Sequence, residues 1–205
     1  MAPRPSAGCE VVCVASWNAD LVSHIDRPLG RGETRMASAF AISPGGKGSN
    51  AAVAAARQGA RVALIARIGQ DEFGRMGLAL WQAEGIDSRH VVQAAGESSG
   101  VAQILVYEDG DNSIAVCPGA GAGLSAQHVE AARDILRDCR VVMASCEVPL
   151  AATERAFQMA REAGAFTLLN PAPALPLPDA LLALTDFLTP NESDCLLYTS
   201  PSPRD

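Results

Sequence analysis

Ser43-Pro44-Gly45-Gly46-Lys47-Gly48-Ser49-Asn50 runs directly into Ala51-Ala52-Val53-Ala54-Ala55-Ala56-Arg57, and how this stretch is read decides the fold. Glycine loses more freedom on folding than any other residue, so such a cluster marks chain that turns sharply or lets another group approach the main chain. The alanine-rich run is strongly helix-forming, with Ser49 or Asn50 as the expected N-cap. The loop then opens onto a helix N-terminus, whose free N–H groups suit a polar or anionic ligand. The same residues also fit a tight turn packed beneath a close helix, the commoner outcome for a bare Gly-Gly pair.

Upstream, Val11 to Ala15 is an apolar, β-branched run that ends in Ser16-Trp17-Asn18-Ala19-Asp20, a buried first strand with polar residues at its C-terminal end. Ligands of open α/β sheets bind at that end. His24 to Phe40 carries Pro28, Gly30 and Gly32 and reads as a hairpin or flap set apart from the main sheet. Downstream, Gly59 stops the helix and Arg61 to Ile68 returns as a strand. Gly69-Gln70-Asp71-Glu72 caps a second helix, in which Phe73, Met76, Leu80 and Trp81 recur at core spacing until Gly85.

Ile86–Val92, Val101–Tyr107 and Ser113–Val116 are β-prone, the last two joined by the turn Glu108-Asp109-Gly110-Asp111-Asn112. Gly119-Ala120-Gly121-Ala122-Gly123 lacks the Gly-Lys-Ser/Thr ending of a phosphate loop and reads as a flexible connection. One amphipathic helix is expected over 125–138, then a strand at Val141–Ala144 ending in Ser145-Cys146-Glu147, a helix over Leu150–Ala163, a strand at Phe166–Leu169 before Asn170, a short helix at Leu181–Leu184, and Phe187-Leu188-Thr189 before Asn191. Strands that alternate with helices imply a parallel main sheet with right-handed crossovers. Asn18, Asp20, Glu147, Asn170 and Asn191 then fall on one edge of it. Each residue alone has a plainer reading: Asn18 as a strand-end cap, Asp20 as a turn residue, Lys47 as a surface charge, Glu147 as a favourable charge on the helix after Pro149.

The 205 residues, 48% hydrophobic and 19% charged, suffice for one sizeable core. A net charge of −7 and a pI near 5.0 argue against nucleic acid as the main partner. The N-terminus lacks the apolar segment of a secretory signal, and no apolar run reaches the roughly 18 residues of a membrane span, so a cytoplasmic protein is expected. Six cysteines with no C-x-x-C pair point to reduced thiols, buried at Cys13, Cys139 and Cys146. His90 has no partner at ligand spacing and reads as structural.

Five blocks together resemble the ribokinase-like (PfkB-type) sugar kinases in order and spacing: Ser16–Asp20, Pro44–Asn50, Ala66–Asp71, Asn170–Ala174 and Thr189–Glu192. The resemblance covers residues 10–194 and implies that family's fold, a Rossmann-like three-layer α/β/α sandwich with a mostly parallel central sheet and a small β-sheet lid from about 22–42 and 91–117. It implies phosphorylation of a sugar by ATP, the 5-hydroxyl of D-ribose first, with fructose, a deoxy sugar acid or a nucleoside as sibling substrates. By the same resemblance, Asn18 and Asp20 bind sugar hydroxyls, Gly45, Gly46, Lys47 and Asn50 cradle the sugar beside the lid hinge, and Glu147 closes the opposite wall. By the family's Asn-x-x-Glu motif, Asn191 is placed on the phosphate side and the position of Asp194 on the Mg²⁺ side. A monovalent cation such as K⁺ is a further cofactor candidate, and the lid implies a homodimer. A sugar-binding protein without catalysis is the alternative of a different class. A dinucleotide enzyme is disfavoured because the first strand ends without G-x-G-x-x-G.

Asp194 stands where the family has Glu in its Asn-x-x-Glu motif. Cys195 to Asp205 breaks the pattern and resembles a translated sequencing adapter, whose first base would turn a Glu codon at 194 into Asp. Residues 1–194 are therefore expected to be the N-terminal portion of one kinase domain. The catalytic Asp, the glycine-rich anion hole and most of the adenine pocket would lie further on, so the 205-residue chain alone is expected to be inactive.

Overall fold

The computed structural model describes residues 8–191. In chain order its strands are β1 (Val11–Ala15), β2 (Asn18–His24), β3 (Ala39–Gly45), β4 (Val62–Gly69), β5 (Asp87–Ala94), β6 (Gly100–Val106), β7 (Asn112–Cys117), β8 (Val141–Ser145), β9 (Phe166–Asn170) and β10 (Phe187–Leu188). The helices are α1 (Lys47–Arg57), α2 (Glu72–Ala83), α3 (Ala126–Ala131), α4 (Arg133–Asp138), α5 (Leu150–Ala163) and α6 (Asp179–Ala183).

Six strands form a parallel sheet in the order β10-β9-β8-β1-β4-β5. Chain order runs outward from β1 to β4 and β5 on one side and through β8, β9 and β10 on the other, so the switch point lies at β1. A crevice opens there at the carboxyl ends of the strands, where ligands of such sheets bind. Alternate residues of β1 feed two cores: Val12 and Val14 pack with Leu136, Phe157 and Leu169 toward α3–α5, and Cys13 and Ala15 pack with Ala52 and Trp81 toward α1 and α2. Among the described residues, Phe166 and Phe187, ring centroids 6.1 Å apart, lie exposed at the far half of the sheet.

The second sheet has the order β3-β2-β6-β7, with β2 and β6 parallel and both outer pairs antiparallel. It starts at Asn18 and returns to the main body at Gly45, so it reaches deeper than the 22–42 expected for a lid. β5 lies in the main sheet beside β4 and not in the lid, against the expected lid segment 91–117. Strand alternation reports burial of one face but not which sheet supplies the partner, so sequence period cannot make that assignment. Residues between β2 and β3 form a loop held by Arg27 on Glu33 and by Arg35 on Asp26 and Glu33.

Three local expectations change. The helix over 125–138 is two short helices broken at Ala132. Gly119–Gly123 is an ordered 3-10 turn, seated by Arg67, which donates to the Ala120 carbonyl at 2.6 Å and pairs with Glu97. The N-cap of α1 is Gly46, at φ 90°, rather than Ser49 or Asn50, because the first N–H groups of the helix find their acceptors far away in sequence. Cys13, Cys139 and Cys146 are buried as expected, and burial pushes the Cys13 thiol up to about 12. His90 Nε2 lies 2.8 Å from Asp134 Oδ1 of α4, close enough for an ion pair but without hydrogen-bond alignment.

Candidate functional site

β1 ends at Ala15, and the chain crosses from the main sheet into the second sheet through two residues, Ser16 and Trp17. Ser16 is buried and joins three elements at that crossing. Its hydroxyl donates to Glu147 Oε2 at 2.6 Å and accepts from the Gly48 N–H at 3.1 Å, and its carbonyl accepts from the Ser49 N–H at 3.1 Å. The Lys47 N–H donates to the same Glu147 Oε2 at 2.7 Å. The first three N–H groups of α1 therefore have protein acceptors. The anion that this helix end attracts is the protein's own Glu147, from the loop after β8 and 100 residues away. Both anchoring bonds use Oε2.

The two glycines at the turn are required by contact as well as by conformation. A side chain on Gly46 would come within 2.7 Å of the Ser16 carbonyl, and its φ of 90° already favours glycine. A Cβ on Gly45 would overlap the Asp20 carboxylate, so that carboxylate lies directly over the Gly45 backbone. The register agrees, with Asn18 paired to Gly45 in β3 and to Gly100 in β6. Asn18 is buried, and a Cβ on Gly100 would overlap its Oδ1.

Asp20 is half-buried, and its carboxyl is held above the usual range, first by desolvation and then by the nearby negative charge of Glu147. Two carboxylates thus face one small space, an arrangement that a partner carrying hydroxyl donors relieves. Paired residues share a sheet face. Asn18, Asp20 and Val22 therefore stand on the face of the second sheet that also carries Ala102, Ile104, Ile114 and Val116. Ile114 and Val116 are exposed there, an apolar wall beside the polar floor.

Beside Lys47, a pocket of about 90 Å³ opens between β1, β8, β9 and α1, lined by Cys13, Gly48, Met143, Ser145, Asn170 and Thr189 among others. The Asn170 side chain turns its own loop, accepting from the Ala172 N–H at 3.0 Å. The structure thus brings together Asn18, Asp20, Gly45, Gly46, Lys47 and Glu147. Asn50 lies one turn into α1 with an exposed side chain, at the margin of this group. Asn191 ends the described chain on the far side of Thr189, and Asp194 and 195–205 lie outside the described residues. Sequence reasoning missed Ser16, whose role depends on two partners distant in sequence, and the lid wall of Ala102, Ile104 and Val116. The alternation in β6 and β7 holds the signal for the wall, once the register with Asp20 is known.

The family model for pfkB family carbohydrate kinases matches residues 9–202. The chain belongs to the pfkB carbohydrate kinase family. Among pfkB relatives, the ribokinase of Haemophilus influenzae is 39% identical over 186 residues, with 91% of this chain and 61% of that protein covered. The deoxyribokinase of Salmonella typhi is 34% identical over 191 residues, covering 93% and 62%. The solved structure of Arabidopsis thaliana ribokinase complexed with ribose and ATP superposes with a TM-score of 0.82 at 27% identity, covering 91% of this chain and 61% of that one. The chain thus spans about 60% of the length of these pfkB relatives. The ribokinase-like fold expected from the sequence is the fold observed. No helix among the described residues is long and apolar enough to cross a membrane.

Proposed function

We propose that the complete protein is an ATP-dependent sugar kinase that phosphorylates D-ribose at its 5-hydroxyl, with this chain forming the sugar half of the site. The observation that carries the proposal is the convergence of the Asn18 amide, the Asp20 carboxylate and the anchored Glu147 carboxylate over the switch point of the sheet. A sugar offers adjacent hydroxyl donors to these acceptors, and the acceptors would be left unsatisfied by an apolar ligand. Asp20 and Asn18 grip hydroxyls from the lid side, Glu147 receives one from the opposite wall through Oε1, and Gly45, Gly46, Lys47 and Asn50 form the cradle between them. Val116 and Ile104 cover the sugar's carbon face and exclude water, which suppresses hydrolysis of the phosphoryl donor.

ATP enters on this reading from the Asn191 side, past Thr189 and Asn170. Bound Mg²⁺ would neutralise charge on the transferred phosphoryl group. Among the described residues no group of three or more His, Cys, Asp or Glu could hold a metal ion. These residues orient the sugar and hold its hydroxyls; the base that removes the proton belongs to sequence further along the complete protein. We further propose that two copies of the protein meet through their lids, where Phe40 and Ile42 expose apolar surface on the face away from Asp20.

A coupled ADP-release assay on the complete gene product, across ribose, deoxyribose, fructose and nucleosides, tests the activity. Turnover of ribose above the others is expected. Preference for deoxyribose would move the assignment to the specificity named for the Salmonella typhi relative, and tight ribose binding without ADP release would favour a sugar-binding protein.

A further inference from the structure

Asp71 caps α2, and the capping bond to the Gly74 N–H, 2.8 Å to Oδ1, uses only part of its carboxylate. The remainder receives Ser99, the residue immediately before β6: its hydroxyl donates to Oδ1 at 2.6 Å and its backbone N–H donates to Oδ2 at 2.7 Å. The Ser99 hydroxyl in turn accepts from the Gly69 N–H at 3.0 Å, which ties the end of β4 into the same cluster. Ser99 is buried, and the packing here tolerates no side chain on Gly69, where a Cβ would lie 2.5 Å from the Ser99 nitrogen. The first turn of α2 also holds the neighbouring lid strand, because Trp17, one residue before β2, donates its indole N–H to the Phe73 carbonyl at 3.0 Å. β2, which carries Asn18, and β6 beside it are therefore both rooted on the same helix turn.

The consequence for the site follows from the register. Ser99 is bonded to Gly100, Gly100 lies directly beneath the Asn18 side chain, and Ala102 and Ile104 follow on the same face as Asp20. A displacement of Ser99 moves the floor under the Asn18 amide and the first part of the apolar wall together. We propose that Asp71 is a positioning residue for the sugar site, fixing the root of β6 and with it the height at which Asn18 meets its ligand. The proposal rests on the sugar-kinase reading for its ligand, whereas the clamp itself does not.

The substitution Asp71→Ser separates capping from clamping: serine is a good N-cap, and its shorter side chain cannot reach both donors of Ser99. Amide hydrogen exchange on the complete gene product should show the amides of Gly100–Val106 exchanging about tenfold faster in Asp71→Ser, the size expected for one lost hydrogen bond to a charged group, with Val62–Ile68 unchanged. Steady-state kinetics should show KM for the sugar raised about tenfold and KM for ATP unchanged. Asp71→Asn, which keeps one acceptor for Ser99, should fall between the two. Exchange that stays at the wild-type rate in β6, or that rises equally in β4, overturns the clamp. A loosened β6 with an unchanged sugar KM overturns the positioning role. Wild-type protein that turns over no sugar would refute the sugar-kinase reading, and the exchange comparison would still decide the clamp.

Discussion

Replacing Glu147 tests the centre of the site, since one oxygen of this carboxylate receives both the Ser16 hydroxyl and the Lys47 N–H. A hydrogen bond to a charged group contributes about 1.5–3 kcal/mol net, and an anion at a helix N-terminus about 0.3–1 kcal/mol. Glu147→Ala removes two such bonds and the dipole interaction. Water can reach the half-buried position and replace part of the loss, so a destabilisation of about 3 kcal/mol is expected. Glu147→Gln keeps an acceptor oxygen but loses the charge, and it also relieves the repulsion with Asp20. Its cost should be about 1 kcal/mol. Urea unfolding at constant m-value measures both, and the Asp20 carboxyl, followed by NMR, should titrate at lower pH in both variants because a like charge has gone. A loss below about 0.5 kcal/mol in Glu147→Ala, or an Asp20 titration that does not move, would refute the placement of Glu147 between α1 and Asp20.

Asp20→Asn should show function and stability opposed. The folded-state pKa of Asp20 is raised, so the folded protein binds the proton more tightly than the unfolded chain. The contribution of Asp20 to stability is accordingly most favourable below the ordinary carboxylate range and declines as pH rises through that range to the raised value. The Asn variant should lack this decline and be more stable than wild type at neutral pH, while ribose affinity measured by calorimetry falls about tenfold or more. Gly48→Ala sets helix propensity, about 1 kcal/mol in favour of alanine, against a Cβ that would come 2.5 Å from Ala15 Cα in the central strand; thermal unfolding should show a net loss of about 2 kcal/mol or more. Trp81→Phe removes the indole N–H donated to Ser49 Oγ at 2.8 Å and part of the edge-on contact with Trp17, so unfolding free energy should fall by about 2–3 kcal/mol.

The architecture is legible in local patterns of residues. β-branched runs at Val11–Ala15 and Val141–Ser145 alternate with helices closed by Gly59, Gly85 and Gly164, and the positive φ of those three glycines is a local requirement that sequence displays directly. Sequence also placed Asn18, Asp20 and Glu147 at the sheet edge, because a polar residue just after a buried strand has few other places to go. What tertiary structure alone decided were the pairings. That α1 begins at Lys47 follows from Glu147, a partner 100 residues away, and no local cap preference reports it. That β5 belongs to the main sheet while β6 belongs to the second sheet is a tertiary assignment, since the period of two is the same in either sheet. Asp71 shows both levels in one residue: the sequence marks it as the cap of α2, but its other oxygen holds Ser99, and a hydrogen bond between residues 28 apart leaves no periodic trace. For Gly45 to Asn50, the sequence left a choice between a ligand loop and a tight turn. The structure makes it a tight turn whose helix end is filled by Glu147.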